Sequence, residues 1–229
     1  MNEKKQAGEY AASYIKDGMT VGLGTGSTVF FTIEKLGELV KQGMSVKGVA
    51  TSEKTALHAK SLNIPLIDLN DVQRIDVTID GADEIDPQFN GIKGGGGALL
   101  REKLVANASR KIVWVASHEK LVQHLGKFPL PVEAVAFGSA HIEKKLEKQG
   151  LHPILRKNTA GKPFLTDSGN VIYDLHLKRI EDPHRLAAEL KQLSGIVDHG
   201  LFLQHPHVVI TGLNGSIVIR ENSKQGERK

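Results

Sequence analysis

No cysteine occurs anywhere in the 229 residues. Disulfides, thiolate-bound zinc and cysteine nucleophiles are thereby excluded, and the expectation is a cytoplasmic protein in a reducing compartment. No apolar run approaches the roughly 20 residues of a membrane span, so no membrane association is expected. Met1-Asn2-Glu3-Lys4-Lys5 leads into a mixed polar helical pattern instead of the apolar core of a signal peptide. Aromatic residues are few, and no arginine-rich stripe interleaves with them, which argues against nucleic acid as a partner. The net charge is only +4, and half of that excess lies in the last ten residues, where Arg220, Lys224, Arg228 and Lys229 face Glu221 and Glu227. The mildly basic remainder suits a small phosphorylated metabolite.

Several familiar motifs are incomplete. In Gly22-Leu23-Gly24-Thr25-Gly26-Ser27-Thr28 the third glycine of a dinucleotide fingerprint arrives one residue early, and Ser27 takes its place. The second strand ends Ala50-Thr51-Ser52, without the acid that would bind a ribose hydroxyl. No Gly-Lys-Ser/Thr triplet completes a nucleotide P-loop. No G-x-S-x-G elbow makes Ser27 a hydrolase nucleophile. His205-Pro206-His207 could set two imidazoles on one strand face, but without an H-E-x-x-H helix no metal site is expected. No dinucleotide or P-loop nucleotide cofactor and no metal are therefore expected, and the Gly22–Thr28 loop looks built for a small phosphate ester.

The 40% hydrophobic content is ample for a buried core. Residues 3–16 read as a helix, followed by a strand at 20–23, a helix at 29–40, a strand at 46–50 and a helix at 52–62. Strands near 65–68 and 75–79, a helix at 97–107 and a strand at 112–116 continue the alternation. That order predicts a Rossmann-like α/β fold, a mostly parallel sheet with helices on both faces. Pro129 and Pro131 punctuate the chain. Beyond them, strand 132–136, helix 139–149, strands 151–156 and 170–176, helix 182–193 and strand 196–203 follow the β-α-β-β-α-β order of a smaller ferredoxin-like α+β module. Two short strands, 208–211 and 216–219, belong to either region. The domains expected are thus 1–128 with 205–229, and 129–204, the last eight or so residues being disordered.

Three segments carry chemistry. The glycine-rich turn Gly24–Thr28 lies between a strand and a helix, where unpaired amides and the helix dipole favour a phosphate and Ser27 and Thr28 add hydroxyls. The alternative is a tight turn with Ser27 as a plain N-cap. Asp80-Gly81-Ala82-Asp83-Glu84 ends a buried-looking strand, at the sheet edge where open α/β folds bind ligands. Two carboxylates three apart can divide acid and base work; the alternative is a solvated acidic turn. Lys93-Gly94-Gly95-Gly96-Gly97 offers an ammonium and bare backbone to an anionic ligand, or is a flexible hairpin tip. Glu102, on the helix that follows, has apolar neighbours that would desolvate it toward a working base. By pattern alone, an exposed glutamate pairing with Lys103 or Arg101 is the more ordinary outcome.

These segments, together with Arg101-Glu102-Lys103 and Gly126-Lys127-Phe128-Pro129-Leu130-Pro131-Val132-Glu133, stand in an order that resembles the type A ribose-5-phosphate isomerase family over nearly the whole chain. The resemblance implies a reversible aldose–ketose conversion between ribose 5-phosphate and ribulose 5-phosphate, without metal or nucleotide, by a homodimer or sometimes a tetramer. It implies Glu102 as the proton acceptor. It further implies a substrate lined by Thr25, Gly26, Ser27, Thr28, by Asp80, Gly81, Ala82, Asp83, and by Lys93, Gly94, Gly95, Gly96. Lys120 matches a substrate-binding lysine of the family, and Lys4 one near the phosphate. Asp80, assisted by Lys93, is assigned to opening the sugar ring, and Asp83 to hydroxyl positioning. The alternative is a sugar-phosphate sensor on the same scaffold, which would need neither Glu102 nor Lys93.

Overall fold

The computed structural model describes residues 2–223. Along the chain run α1 (Glu3–Ala11), β1 (Thr20–Leu23), α2 (Val29–Lys41), β2 (Lys47–Ala50), α3 (Glu53–Ser61) and β3 (Ile75–Gly81). Then come β4 (Glu84–Ile85), β5 (Gly91–Ile92), α4 (Leu99–Asn107), β6 (Ser109–Ser117), β7 (Leu130–Ala134), α5 (Ser139–Lys148) and β8 (Pro153–Leu155). The chain continues through β9 (Val171–Leu175), α6 (Pro183–Lys191), β10 (Ile196–His199), β11 (Leu201–Phe202), β12 (Val208–Leu213) and β13 (Ser216–Glu221). It divides into two compact units, Met1–Ala82 with Arg101–Lys120 and His205–Lys229, and Asp83–Leu100 with Leu121–Gln204.

In the first unit a six-stranded sheet has the order β13-β12-β6-β3-β1-β2. All neighbours are parallel except β12 and β13. Period-2 alternation explains its layers. Val21, Leu23, Val77, Ile79, Val113, Val115, Val208 and Ile210 pack with Ala7 and Ala11 of α1 and Val29, Ile33 and Leu36 of α2. On the other face Gly22 leaves room for Val105 of α4, whose Cγ1 would lie 2.8 Å from a Cβ added there. Helices therefore cover both faces, as the alternation predicts. The strands at 208–213 and 216–221 join this sheet, closed by Asn214-Gly215 with φ of 49° and 81°, the pair of left-handed residues that a two-residue hairpin demands. The last of these strands runs to Glu221, and Asn222 Nδ2 donates to Pro206 O at 3.1 Å. Residues 224–229, which hold most of the tail expected to be disordered, lie outside the described residues. The strand expected at 65–68 is a single parallel bridge from Leu66 to Gly48, because the chain turns away after Ile67.

The second unit holds the β-α-β-β-α-β module, an antiparallel sheet in the order β10-β7-β9-β8. Ile142 and Leu146 of α5 and Leu186, Ala187 and Leu190 of α6 bury against Leu130, Val132, Val171, Tyr173 and Leu175. Burying each leucine, isoleucine or valine among them contributes about 1.5–3 kcal/mol. The strand expected over 196–203 is split at Gly200: β10 pairs with β7, whereas β11 pairs with β5 in a three-stranded sheet β11-β5-β4. That second sheet also moves the boundary. Residues 83–100, expected in the first domain, pack with the second unit through β4 and β5. Leu121 joins them, since Val122 N donates to Ile85 O at 2.9 Å.

Candidate active site

In the first unit, β1 is flanked by β2 on one side and β3 on the other. The connections leaving β1 and β3 therefore diverge at their carboxyl ends, the crevice where open α/β sheets hold ligands. Asp80 ends β3 there and is 1% exposed. Its Oδ1 accepts from Thr25 N at 3.1 Å and from Gly81 N at 2.7 Å. A Cβ on Gly24 would lie 2.1 Å from that same oxygen, so the turn must be glycine to close over the carboxylate.

The Thr25 hydroxyl points elsewhere, to Thr51 and Ser52 at 2.8 Å each and to Thr55 at 3.1 Å. Thr55 Oγ1 in turn donates to Gly24 O at 3.0 Å, and Ser52 caps α3 by accepting from Thr55 N at 3.1 Å. This hydroxyl cluster braces the turn from behind. Its local trace, Thr51-Ser52 followed by Thr55, reads as a helix cap, and its link to Thr25 is purely tertiary.

Ser27 is not the N-cap of α2. That position is Thr28, with helical φ of −87° and ψ of −42° and no side-chain capping bond. No acidic residue occupies the first turn of α2 either, so its amides and positive end stay suited to an anion. Gly8 lets α1 approach closely, since a Cβ there would meet Thr28 O at 2.5 Å. This packing brings Lys4 Nζ to 3.2 Å from Ser27 Oγ. An open cavity of about 470 Å³ lies beside Lys4, lined also by Asn2, Glu3, Ser117 and Glu119. Lys120 closes the short helical turn His118–Lys120 that follows β6.

Glu102 is 3% exposed, which overturns the reading of a solvated surface glutamate. Arg101 lies 3.9 Å from Glu53. The apolar face expected around Glu102 is also revised: Leu104 is 50% exposed, while Lys103 is buried. Leu99 and Val105, two other apolar neighbours on α4, are buried as Glu102 is.

In the second unit the acidic segment is not a solvated turn. Asp83 Oδ2 accepts from Gly95 N at 2.8 Å. Glu84, 3% exposed, accepts from Gly126 N and Phe128 N at 2.7 Å each. Asp86 Oδ1 accepts from Gln88 N at 2.9 Å and Asn90 N at 2.8 Å. Buried carboxylates here satisfy backbone donors, as burial requires. Lys93 is 2% exposed, with its amide donating to Gly200 O at 2.9 Å and its Nζ 5.4 Å from the Phe202 ring centroid. The glycine run is a held turn, not a loose tip. Gly97 N donates to Gly94 O at 2.9 Å, and φ is 99° at Gly94 and 80° at Gly97, backbone that favours glycine. Arg156 Nη1 reaches Gly94 O at 2.9 Å, a contact across 62 positions that no local pattern announces.

The two histidines serve separate ends. His207 Nδ1 accepts from Ile112 N at 3.0 Å, and His205 Nε2 lies 3.2 Å from Asn107 Oδ1. Among the described residues no three His, Asp or Glu side chains form a metal-holding group. No helix among them is long and apolar enough to cross a membrane.

Residues 47–215 match the sequence model of the family described as ribose 5-phosphate isomerase A (phosphoriboisomerase A). A ribose-5-phosphate isomerase A from Listeria monocytogenes serotype 4b (strain F2365) is 56% identical over 218 residues, covering 95% of this chain and 97% of its own. The solved ribose 5-phosphate isomerase from Plasmodium falciparum superposes with a TM-score of 0.92 at 38% identity, over 96% of this chain and 98% of that one. A solved D-ribose-5-phosphate isomerase in complex with phospho-erythronic acid gives 0.93 at 36% identity, over 97% of this chain and all of that one. With the family model matched over residues 47–215 and relatives more than half identical over nearly the whole chain, the chain belongs to the ribose 5-phosphate isomerase A family.

Proposed function

We propose that this chain interconverts D-ribose 5-phosphate and D-ribulose 5-phosphate through a cis-enediolate, the aldose–ketose step of the non-oxidative pentose phosphate pathway. The observation that carries the mechanism is Glu102, a carboxylate only 3% exposed on a helix of this family's fold. Burial in a dry setting suits a base that must take a proton from carbon and return it.

The substrate spends most of its time as a ring. Asp80, assisted by Lys93, moves the proton that opens it. Two backbone amides donate to Asp80 Oδ1 and hold the carboxylate in place. Glu102 then removes the proton from C2 of the open aldose. The C–H electrons form the C1=C2 bond, and the C1 carbonyl oxygen takes the negative charge. Lys93 and the Gly96 amide stabilise that oxyanion, where preorganised donors act most strongly, while the Gly95 amide holds Asp83. A proton passes from O2 to O1, Glu102 returns its proton to C1, and the carbonyl now stands at C2. Asp83 positions a hydroxyl, beside Gly81 and Ala82. The phosphate rests on Gly26, Ser27 and Thr28 at the start of α2, with Lys4 and Lys120 as counter-charges. Thr25 holds the turn. Binding the remote phosphate keeps the carbons in a reactive pose.

We assign the enzyme to the cytoplasm and to a homodimer, with residues 129–204 supplying oligomer contacts. Phe137, 94% exposed, and Ile154, 56% exposed, support that last assignment. A coupled assay on ribose 5-phosphate, run with and without EDTA, tests the function: equal turnover in both is expected, and folded protein without turnover would sink it. Glu102→Gln should keep the fold and lose about 10²- to 10⁴-fold in kcat, the scale of general acid–base catalysis. Tritium from solvent should enter the sugar during turnover, whereas a hydride shift would leave it unlabelled.

A further inference from the structure

We infer that Arg156, locked by Asp174, is a positioning residue: it fixes the peptide planes of the Gly94–Gly96 loop so that the Gly96 amide faces the Asp83 side as an oxyanion donor. The chemistry of this inference rests on the isomerase reading, but its geometry does not. Arg156 follows β8, and Asp174 lies on the adjacent β9. Arg156 Nε donates to Asp174 Oδ2 at 2.9 Å, and Nη2 donates to Oδ1. This paired grip leaves Nη1 aimed at the glycine loop, where it donates to Gly94 O at 2.9 Å and Gly95 O at 3.3 Å.

A trans peptide holds its C=O and the following N–H on opposite sides of one plane. With Gly94 O turned to the guanidinium, the Gly95 N–H must point away from it, and it does, donating to Asp83 Oδ2 at 2.8 Å. By the same rule Gly95 O on Arg156 sends the Gly96 N–H away from the guanidinium. Two successive carbonyls on one cation leave two successive amides on the opposite side, the concave arrangement that binds anions. The first is used by Asp83, and the second is the one assigned to the substrate.

The other end of the loop is held by the same group of side chains. A Cβ on Gly97 would lie 2.5 Å from the Phe164 ring, and the Arg156 guanidinium carbon sits 6.0 Å from that ring's centroid. The Arg156 and Asp174 side chains are 15% and 20% exposed, sheltered enough for a bidentate pair to hold its geometry. Lysine has one point-like ammonium and no planar fork, so it cannot grip Asp174 and both carbonyls together.

Arg156→Ala and Arg156→Lys, with Arg185→Ala as a control on the exposed face of α6, are compared by kcat and KM for ribose 5-phosphate and by the amide NMR resonances of Gly95 and Gly96. Both Arg156 variants should lose about 10- to 100-fold in kcat, up to the scale of one lost oxyanion donor, with KM changed less than about threefold. Both glycine resonances should move, and non-denaturing guanidinium should restore part of kcat in Arg156→Ala but not in Arg156→Lys. Unmoved glycine resonances in Arg156→Ala would overturn the inference, as would near-normal kcat despite displaced amides or an equal loss in Arg185→Ala. Should Arg156→Ala fail to fold, Asp174→Asn takes the same readouts, with smaller shifts in the same direction expected. If the unmodified protein fails to isomerise the sugar, the function falls on its own account, and the resonances still decide whether Arg156 sets the planes.

Discussion

Gly24–Thr28 and Gly94–Gly97 are both glycine-rich, and each leads from a strand toward a helix, yet glycine is needed in them for different reasons. At Gly24 the need is space. A Cβ would strike the Asp80 carboxylate at 2.1 Å and the Asp80 Cα at 2.5 Å, and the turn is then braced by hydroxyls of Thr51, Ser52 and Thr55 within the same unit. At Gly94 and Gly97 the need is also conformational, with φ of 99° and 80°, and the brace is a guanidinium acting on carbonyls. One loop is shaped by a carboxylate beneath it. The other lies between a carboxylate on one side and an arginine on the other. Compact regular structure can thus fix the first loop, whereas the second depends on a side chain that follows a distant strand.

Alanine at each loop tests that contrast most sharply. Gly24→Ala meets backbone that no rotamer relieves, so it should destabilise the protein by about 3 kcal/mol, at the upper end for overpacking; urea unfolding reads this directly. Gly95→Ala meets only the Asp83 carboxylate, 2.7 Å away at its nearest atom, and that side chain can swing. Its stability change should stay under about 1 kcal/mol, with the loss appearing in kcat at about tenfold. Equal destabilisation by the two alanines would erase the distinction.

Charge at the first loop gives a smaller effect. Lys4→Ala should raise KM for ribose 5-phosphate about tenfold with kcat nearly constant, because an exposed contact to a remote phosphate holds ground and transition states alike. The gap from the unmodified enzyme should narrow in high salt, and a kcat-only defect would move Lys4 out of phosphate binding. Smallest is Thr55→Val, which removes the 3.0 Å bond to Gly24 O. It should cost about 1 kcal/mol, the net worth of one such bond plus a stranded carbonyl. No shift in the urea midpoint would mean that the hydroxyl cluster is not what braces the turn.

Most local features carried through from sequence to structure, the strands expected at 65–68 and 196–203 excepted. Strand–helix alternation predicted the parallel sheet and its two helical faces, and the β-α-β-β-α-β order predicted the smaller antiparallel sheet, because periodicity and turn residues act over a few positions. Asn214-Gly215 closes its hairpin by the same local rule. What tertiary structure alone decided was where the polar groups went. Glu102 reads as a surface residue until its helix is placed, and Glu84 as part of a wet turn until Gly126 and Phe128 bring it their amides. Residues 83–100 fall with the second unit because β5 finds β11 more than a hundred positions later. Arg156 leaves no mark in its own neighbourhood at all. Hydrophobic pattern is repeated along a chain and survives local reading. A hydrogen bond between distant residues is a single event in space, and only the folded chain holds both partners at once.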